Sequence, residues 1–199
     1  MKLLIFALLF VISIAPASAD TCQDRFTELL VPGNQKMGPV RIHLTQEIVG
    51  GKTSINYHYS DGKISGMTEM IDPANDPWSL FLGDNMYRSN DKGKTWSFMN
   101  SYDSKKSLAD TKKSITSDAA KASGVACGKE EYEGISHEVV EGNYISSMSN
   151  GAAIYEKLWV NPSTGWIVKS YRHIKSGGFE SKTTQLIELF PNLTLPKPE

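Results

Sequence analysis

Apolar side chains recur at every second position along most of the chain. Val40, Ile42 and Leu44 alternate with Arg41, His43 and Thr45, and Ile55, Tyr57 and Tyr59 alternate with Asn56, His58 and Ser60. A two-residue period marks strands that turn one face to a core. Turn residues punctuate the pattern at Gly50-Gly51, Asp61-Gly62, Asp72-Pro73, Gly83-Asp84, Asn161-Pro162-Ser163-Thr164-Gly165 and Gly177-Gly178. Residues 40–99 read as one meander and residues 125–189 as a second set of strands, about nine to ten in all. Connections this short require antiparallel neighbours, because a parallel crossover needs a dozen or more residues. Two stretches break the period. In residues 20–31, Cys22, Phe26, Leu29 and Leu30 recur at three- and four-residue steps before Pro32-Gly33, which predicts a short helix. In residues 103–123, Leu108, Thr111, Ile115, Ala119 and Ala122 step at helical spacing among lysines. So thin an apolar stripe predicts a helix lying on the surface, held more loosely than the sheet. The fold class is α+β, mainly antiparallel β.

The first residues change the picture of where this domain works. Met1-Lys2 precedes the uncharged apolar run from Leu3 to Ile12, and Ala17-Ser18-Ala19 follows. This is the three-part pattern of a secretory signal peptide, with cleavage expected before Asp20. The run is shorter than the ~20 residues of a membrane span. Cys22 lacks the flanking residues of a lipidation site. The reading is a signal peptide over 1–19 and a single soluble domain over 20–199, periplasmic or secreted and not membrane-spanning. A formal net charge of −1 gives no bulk attraction for nucleic acid or anionic membrane. Cys22 and Cys127 are the only two cysteines. In an oxidising compartment they suggest one long-range disulfide, two buried free thiols being the alternative.

Candidate chemistry is sparse. Ser89-Asn90-Asp91-Lys92-Gly93-Lys94-Thr95-Trp96 matches the Asp-box turn of sialidases, S-x-D-x-G-x-T-W, but it occurs once and the chain is too short for a propeller of six blades. It reads as a stable hairpin turn. His43, His58, His137 and His173 stand singly on strands without metal-ligand spacing. Glu130, Glu131 and Glu133 read as a solvated edge. Neither a nucleophile elbow nor a phosphate-binding or dinucleotide motif is present. The expectation is a non-enzymatic protein without metal or cofactor.

Rings and thioethers carry more information. Tyr57, Tyr59, Met67, Trp78, Phe81, Tyr87, Phe98 and Trp159 all fall on predicted strands. They either fill a core or line an apolar hollow that two thin helices leave uncovered. The order of elements, together with Leu158-Trp159-Val160-Asn161-Pro162-Ser163-Thr164-Gly165, resembles the LolA-like superfamily of periplasmic lipoprotein carriers. The resemblance spans nearly the whole of residues 20–199. It implies a curved, unclosed β-barrel, a half-barrel, covered by the amino-terminal and mid-chain helices around an acyl-chain cavity. The family's early-strand arginine falls in the region of Arg41, but no local motif marks the match and no role is carried over. The resulting expectation is a binding or carrier protein for lipoprotein acyl chains or another apolar ligand. The eight residues above would line its site, and Leu108 and Ile115 would sit on a lid. The alternative is an envelope stress or assembly factor that binds a protein partner through its sheet edge or aromatic face.

Overall fold

The computed structural model describes residues 19–31, 33 and 37–198. The signal-peptide reading lies outside these residues, except for Ala19. Eleven strands form one antiparallel sheet: β1 (Val40–Ile48), β2 (Thr53–Ser60), β3 (Gly66–Asp72), β4 (Trp78–Leu82), β5 (Asn85–Ser89), β6 (Ser97–Ser101), β7 (Ser123–Tyr132), β8 (Ile135–Ser146), β9 (Ala152–Val160), β10 (Ile167–Ser176) and β11 (Phe179–Leu189). That is more than the nine to ten expected. The spatial order is β6-β5-β4-β3-β2-β1-β11-β10-β9-β8-β7. Each meander therefore runs outward from the central β1–β11 pair, and β6 and β7 are left as open edges. The sheet is the curved, unclosed half-barrel that the resemblance implied.

Two helices accompany it, α1 (Ala19–Leu30) and α2 (Ser104–Ala119). In α1, Cys22, Phe26 and Leu29 are buried, which is the face that the helical spacing selects. Phe26 and Leu29 join Val140, Tyr144, Ile154, Leu158, Val160 and Ile167 in one core cluster. Gly142 makes room for this contact, since a Cβ there would lie 3.0 Å from Val125 and 3.3 Å from Phe26. Three further ties hold α1, two to the β7–β8 end of the sheet and one to α2. The expected disulfide Cys22–Cys127 is formed across a sequence separation of 105. Arg25 engages Glu138 through two nitrogens, Nε to Oε1 at 3.0 Å and Nη2 to Oε2 at 2.8 Å. Gln23 donates to the Ala119 carbonyl at the end of α2.

The register shows which side chains share a face. Cross-strand partners Val140, Leu158 and Ser170, then Gln185, Leu44 and Asn56, lie on the face that carries α1. Partners Trp159, Lys169, Leu186, His43 and Tyr57, then Glu69, lie on the other. From β8 to β1 the apolar residues favour the helix face. Beyond β1 they switch. Asn56, His58, Thr68 and Ser79 continue the helix face, while Tyr59, Met67, Leu80 and Tyr87 stand on the opposite one. Leu80 is fully buried there, and Phe190 packs edge-on against Tyr59 at 5.7 Å.

The Asp-box segment forms the expected turn. Asp91 accepts hydrogen bonds from the Thr95 amide and hydroxyl and from the Ser89 hydroxyl, and Gly93 donates to Ser89 Oγ. These bonds, led by the one from the Thr95 hydroxyl, lower the Asp91 carboxyl to a pKa of about 2. Gly93 adopts φ +81°, and any Cβ at that position would strike the Trp78 ring.

Candidate ligand-binding cleft

A cleft of about 220 Å³ opens on the helix face, where the end of α1 overhangs the centre of the sheet. Leu29 and Leu30 form its roof. Val40 and Ile42 of β1, Leu158 of β9, Ile167 of β10 and Ile187 of β11 form apolar walls. They meet here because β1 and β11 close the gap between the two meanders, which brings residues from opposite ends of the chain side by side. Larger hollows, of about 310, 340 and 470 Å³, mix apolar with charged groups: Lys121 and Lys175 in the first, Glu133 and Glu188 in the second, and Asp103, Lys106 and Asp110 in the third. The α1 cleft combines apolar walls with a roof anchored by a disulfide, and it adjoins the core cluster.

One side of the cleft is polar. Glu156 and Arg172 are cross-strand partners on β9 and β10, and Arg172 Nε donates to Glu156 Oε2 at 2.5 Å. The carboxylate side chain is 3 % exposed and the guanidinium side chain 40 %. Burial therefore pushes the Glu156 carboxyl above its usual range, with the Arg172 charge working against that shift. Ser170 and Gln185, themselves hydrogen-bonded, complete the polar side. Among the described residues lining the cleft, Glu156 and Arg172 are the charged ones.

None of the eight sequence-selected rings and thioethers lines this cleft. The register puts Tyr57, Tyr59, Met67, Trp78, Tyr87, Phe98 and Trp159 on the face opposite α1, and Phe81, partnered with Gly66 and Met86, on the face that carries it. Trp159 is 8 % exposed. Lys169 and Lys157 lie 4.6 and 5.0 Å from its ring centre, and its indole donates to Glu130. Tyr57 borders the 340 Å³ hollow on that face with His43 and Tyr132. Arg41 lies over the Tyr57 and Phe190 rings and pairs with Glu188. On α2, Leu108 is exposed and Ile115 half-buried. The helix is fastened at both ends, by Ser104 to Asp84 and by Asp118 to the Ser147 amide and hydroxyl, and it does not border the cleft. Sequence reasoning overlooked Glu156 and Arg172. Their signal was parity: Glu156 shares its strand face with Ile154 and Leu158, so a carboxylate interrupts the inward apolar row of this strand.

No family model matches the chain, and no curated protein matches it. Several solved structures resemble it. One is the MucA/MucB complex of Pseudomonas aeruginosa, at 12 % identity over 86 % of this chain and 58 % of that one, with a TM-score of 0.46. Another, of MucB, gives 16 % identity over 87 % and 60 %, also at 0.46. A LolA superfamily protein of Nitrosomonas europaea gives 10 % identity over 91 % and 96 %, at 0.35. The chain spans under two thirds of the length of the MucA/MucB and MucB chains it matches. At these identities the likeness transfers no residue role. Among the described residues, no helix is long and apolar enough to cross a membrane, and no group of three or more His, Cys, Asp or Glu is placed to hold a metal ion.

Proposed function

We propose that this chain is an exported, non-enzymatic carrier or binding protein that takes an apolar chain, such as a lipoprotein acyl chain, into the cleft beneath α1. The observation that carries this reading is the cleft itself, an open, apolar-walled space left between a disulfide-anchored helix and the centre of an unclosed sheet. The disulfide suits an oxidising, extracytoplasmic compartment, in keeping with the leader read over residues 1–19. Binding would draw on hydrophobic burial. At about 0.8 kcal/mol per methylene, a half-dozen chain carbons contribute roughly 5 kcal/mol. The test is lipid extraction from the purified protein, with titration of a fluorescent fatty acid. The native chain should bind the probe. Ile187→Trp, which fills the cleft, should weaken binding at least about tenfold, or 1.4 kcal/mol, while still unfolding cooperatively. Native protein with no co-purified lipid and no probe uptake would remove the carrier reading.

A second reading is favoured by the open sheet. Strand β6 is an unpaired edge, and Phe98 and Met99 on it are 58 % and 50 % exposed. Such an edge accepts an extended segment of a protein partner. Cross-linking from position 98 that captures one defined envelope protein would support it. Native binding that is unchanged by Asn100→Pro, which blocks strand addition at that edge, would not.

A further inference from the structure

The cleft has a direction. Read along the strands on the helix face, one cross-strand row is Glu156, Arg172 and Thr183, and the next is Leu158, Ser170 and Gln185. The row beyond them carries Val160 and Ile167 on one side and Ile187 and Ile42 on the other. Polarity therefore falls from the Arg172 end to the Ile42 end over a few rows, each about 7 Å from the next. An apolar molecule uses only half of such a cleft. Resting on the carrier reading, we propose that its ligand is an anionic amphiphile, with the chain lying toward Ile42 and Ile187 and an ionised carboxylate or phosphate head on Arg172.

The sign of the head follows from exposure. Glu156 is sunk to 3 % exposure beneath a guanidinium that is 40 % exposed. An incoming head meets the cation first, and Coulomb energy falls inversely with distance, so the nearer guanidinium outweighs the deeper carboxylate. A cationic head would have to pass Arg172 to reach Glu156. Of the five N–H donors of a guanidinium, the Nε–H is committed to Glu156. The terminal nitrogens form the fork that grips an oxyanion with two parallel bonds. Glu156 thus acts as a positioning residue, holding the fork at the polar side of a cleft whose other walls are apolar.

Three competitors with one chain length and different heads test this: octanoate, octanol and octyltrimethylammonium, each displacing a fluorescent fatty acid from the native protein. Octanoate should compete at least about tenfold better than octanol, and the cation worst of all. In Arg172→Met the octanoate–octanol gap should close, with octanol itself little changed. Arg172→Lys, which keeps the charge but loses the fork, should retain part of it. If the single Met variant fails to fold, Glu156→Gln/Arg172→Met carries the same comparison without an unpaired buried carboxylate. Equal competition by octanoate and octanol, or a gap that survives loss of Arg172, would overturn the head-group assignment and leave the carrier reading standing. Failure of the native protein to take up the probe would overturn both.

Discussion

Glu156 is the residue whose setting is least forgiving. Its carboxylate is almost wholly removed from water on a face otherwise given to Ile154, Leu158 and Tyr144, and its ion-pair partner is Arg172. Removing one member of such a pair strands the other in a poor solvent. Because Arg172 is part-exposed, Arg172→Met should cost toward the low end of that effect, about 3 kcal/mol near neutral pH. Its pH dependence has a definite sign. A carboxyl whose folded-state pKa is raised favours folding in its protonated form, so stability falls as pH rises through and above the unfolded carboxylate value. Losing Arg172 raises the folded value further. The deficit of Arg172→Met relative to the native chain should therefore shrink as pH is lowered through the carboxylate range. Chemical denaturation at a series of pH values checks this, and a deficit that grows on acidification would refute it.

Among the elements, α1 is the one whose position sets the site. Its buried stripe packs on β8 and β9, while the disulfide, the Arg25–Glu138 pair and the Gln23 bond fix its first turns, so Leu29 and Leu30 project over the cleft from an anchored base. Closing a loop across a separation of 105 residues contributes about 4–5 kcal/mol in the chain-entropy model. Cys22→Ser/Cys127→Ser should lose stability of that order in denaturant titrations. It should also weaken probe binding, since the roof loses its tether. Helix α2 is a contrast: its caps, Asp103 at the start and the Asp118–Ser147 bonds at the end, hold a helix whose Leu108 still faces water.

On the scale of the whole molecule, the sheet is a single hydrogen-bonded ladder but not a single core. The buried cluster lies between α1 and β8–β10, whereas β6 is exposed along its full length and ends the ladder. Protection against local opening follows buried apolar contact. Native-state hydrogen exchange should therefore find the slowest amides in β8, β9 and β10, and markedly faster exchange in β5, β6 and α2. Uniform protection across all eleven strands would contradict this account.

Much of this was legible from the amino-acid sequence alone: the two-residue period, the turn residues between strands, the helical spacing of Cys22, Phe26 and Leu29, the Asp-box turn and an even pair of cysteines. Each of these is a local or compositional signal, and each acts within a few residues or, for the cysteines, through the compartment. The face on which any strand's apolar row would stand in the assembled sheet was not legible. Alternation tells which residues of one strand share a side, but it carries no common reference from strand to strand. The apolar rows of β1 and β2 read alike, yet Ile42 lies beside His58 while Tyr57 lies beside His43, on opposite faces. Only the pairing of β1 with β11, between segments more than a hundred residues apart, assembles the cleft walls and sets them against Glu156 and Arg172.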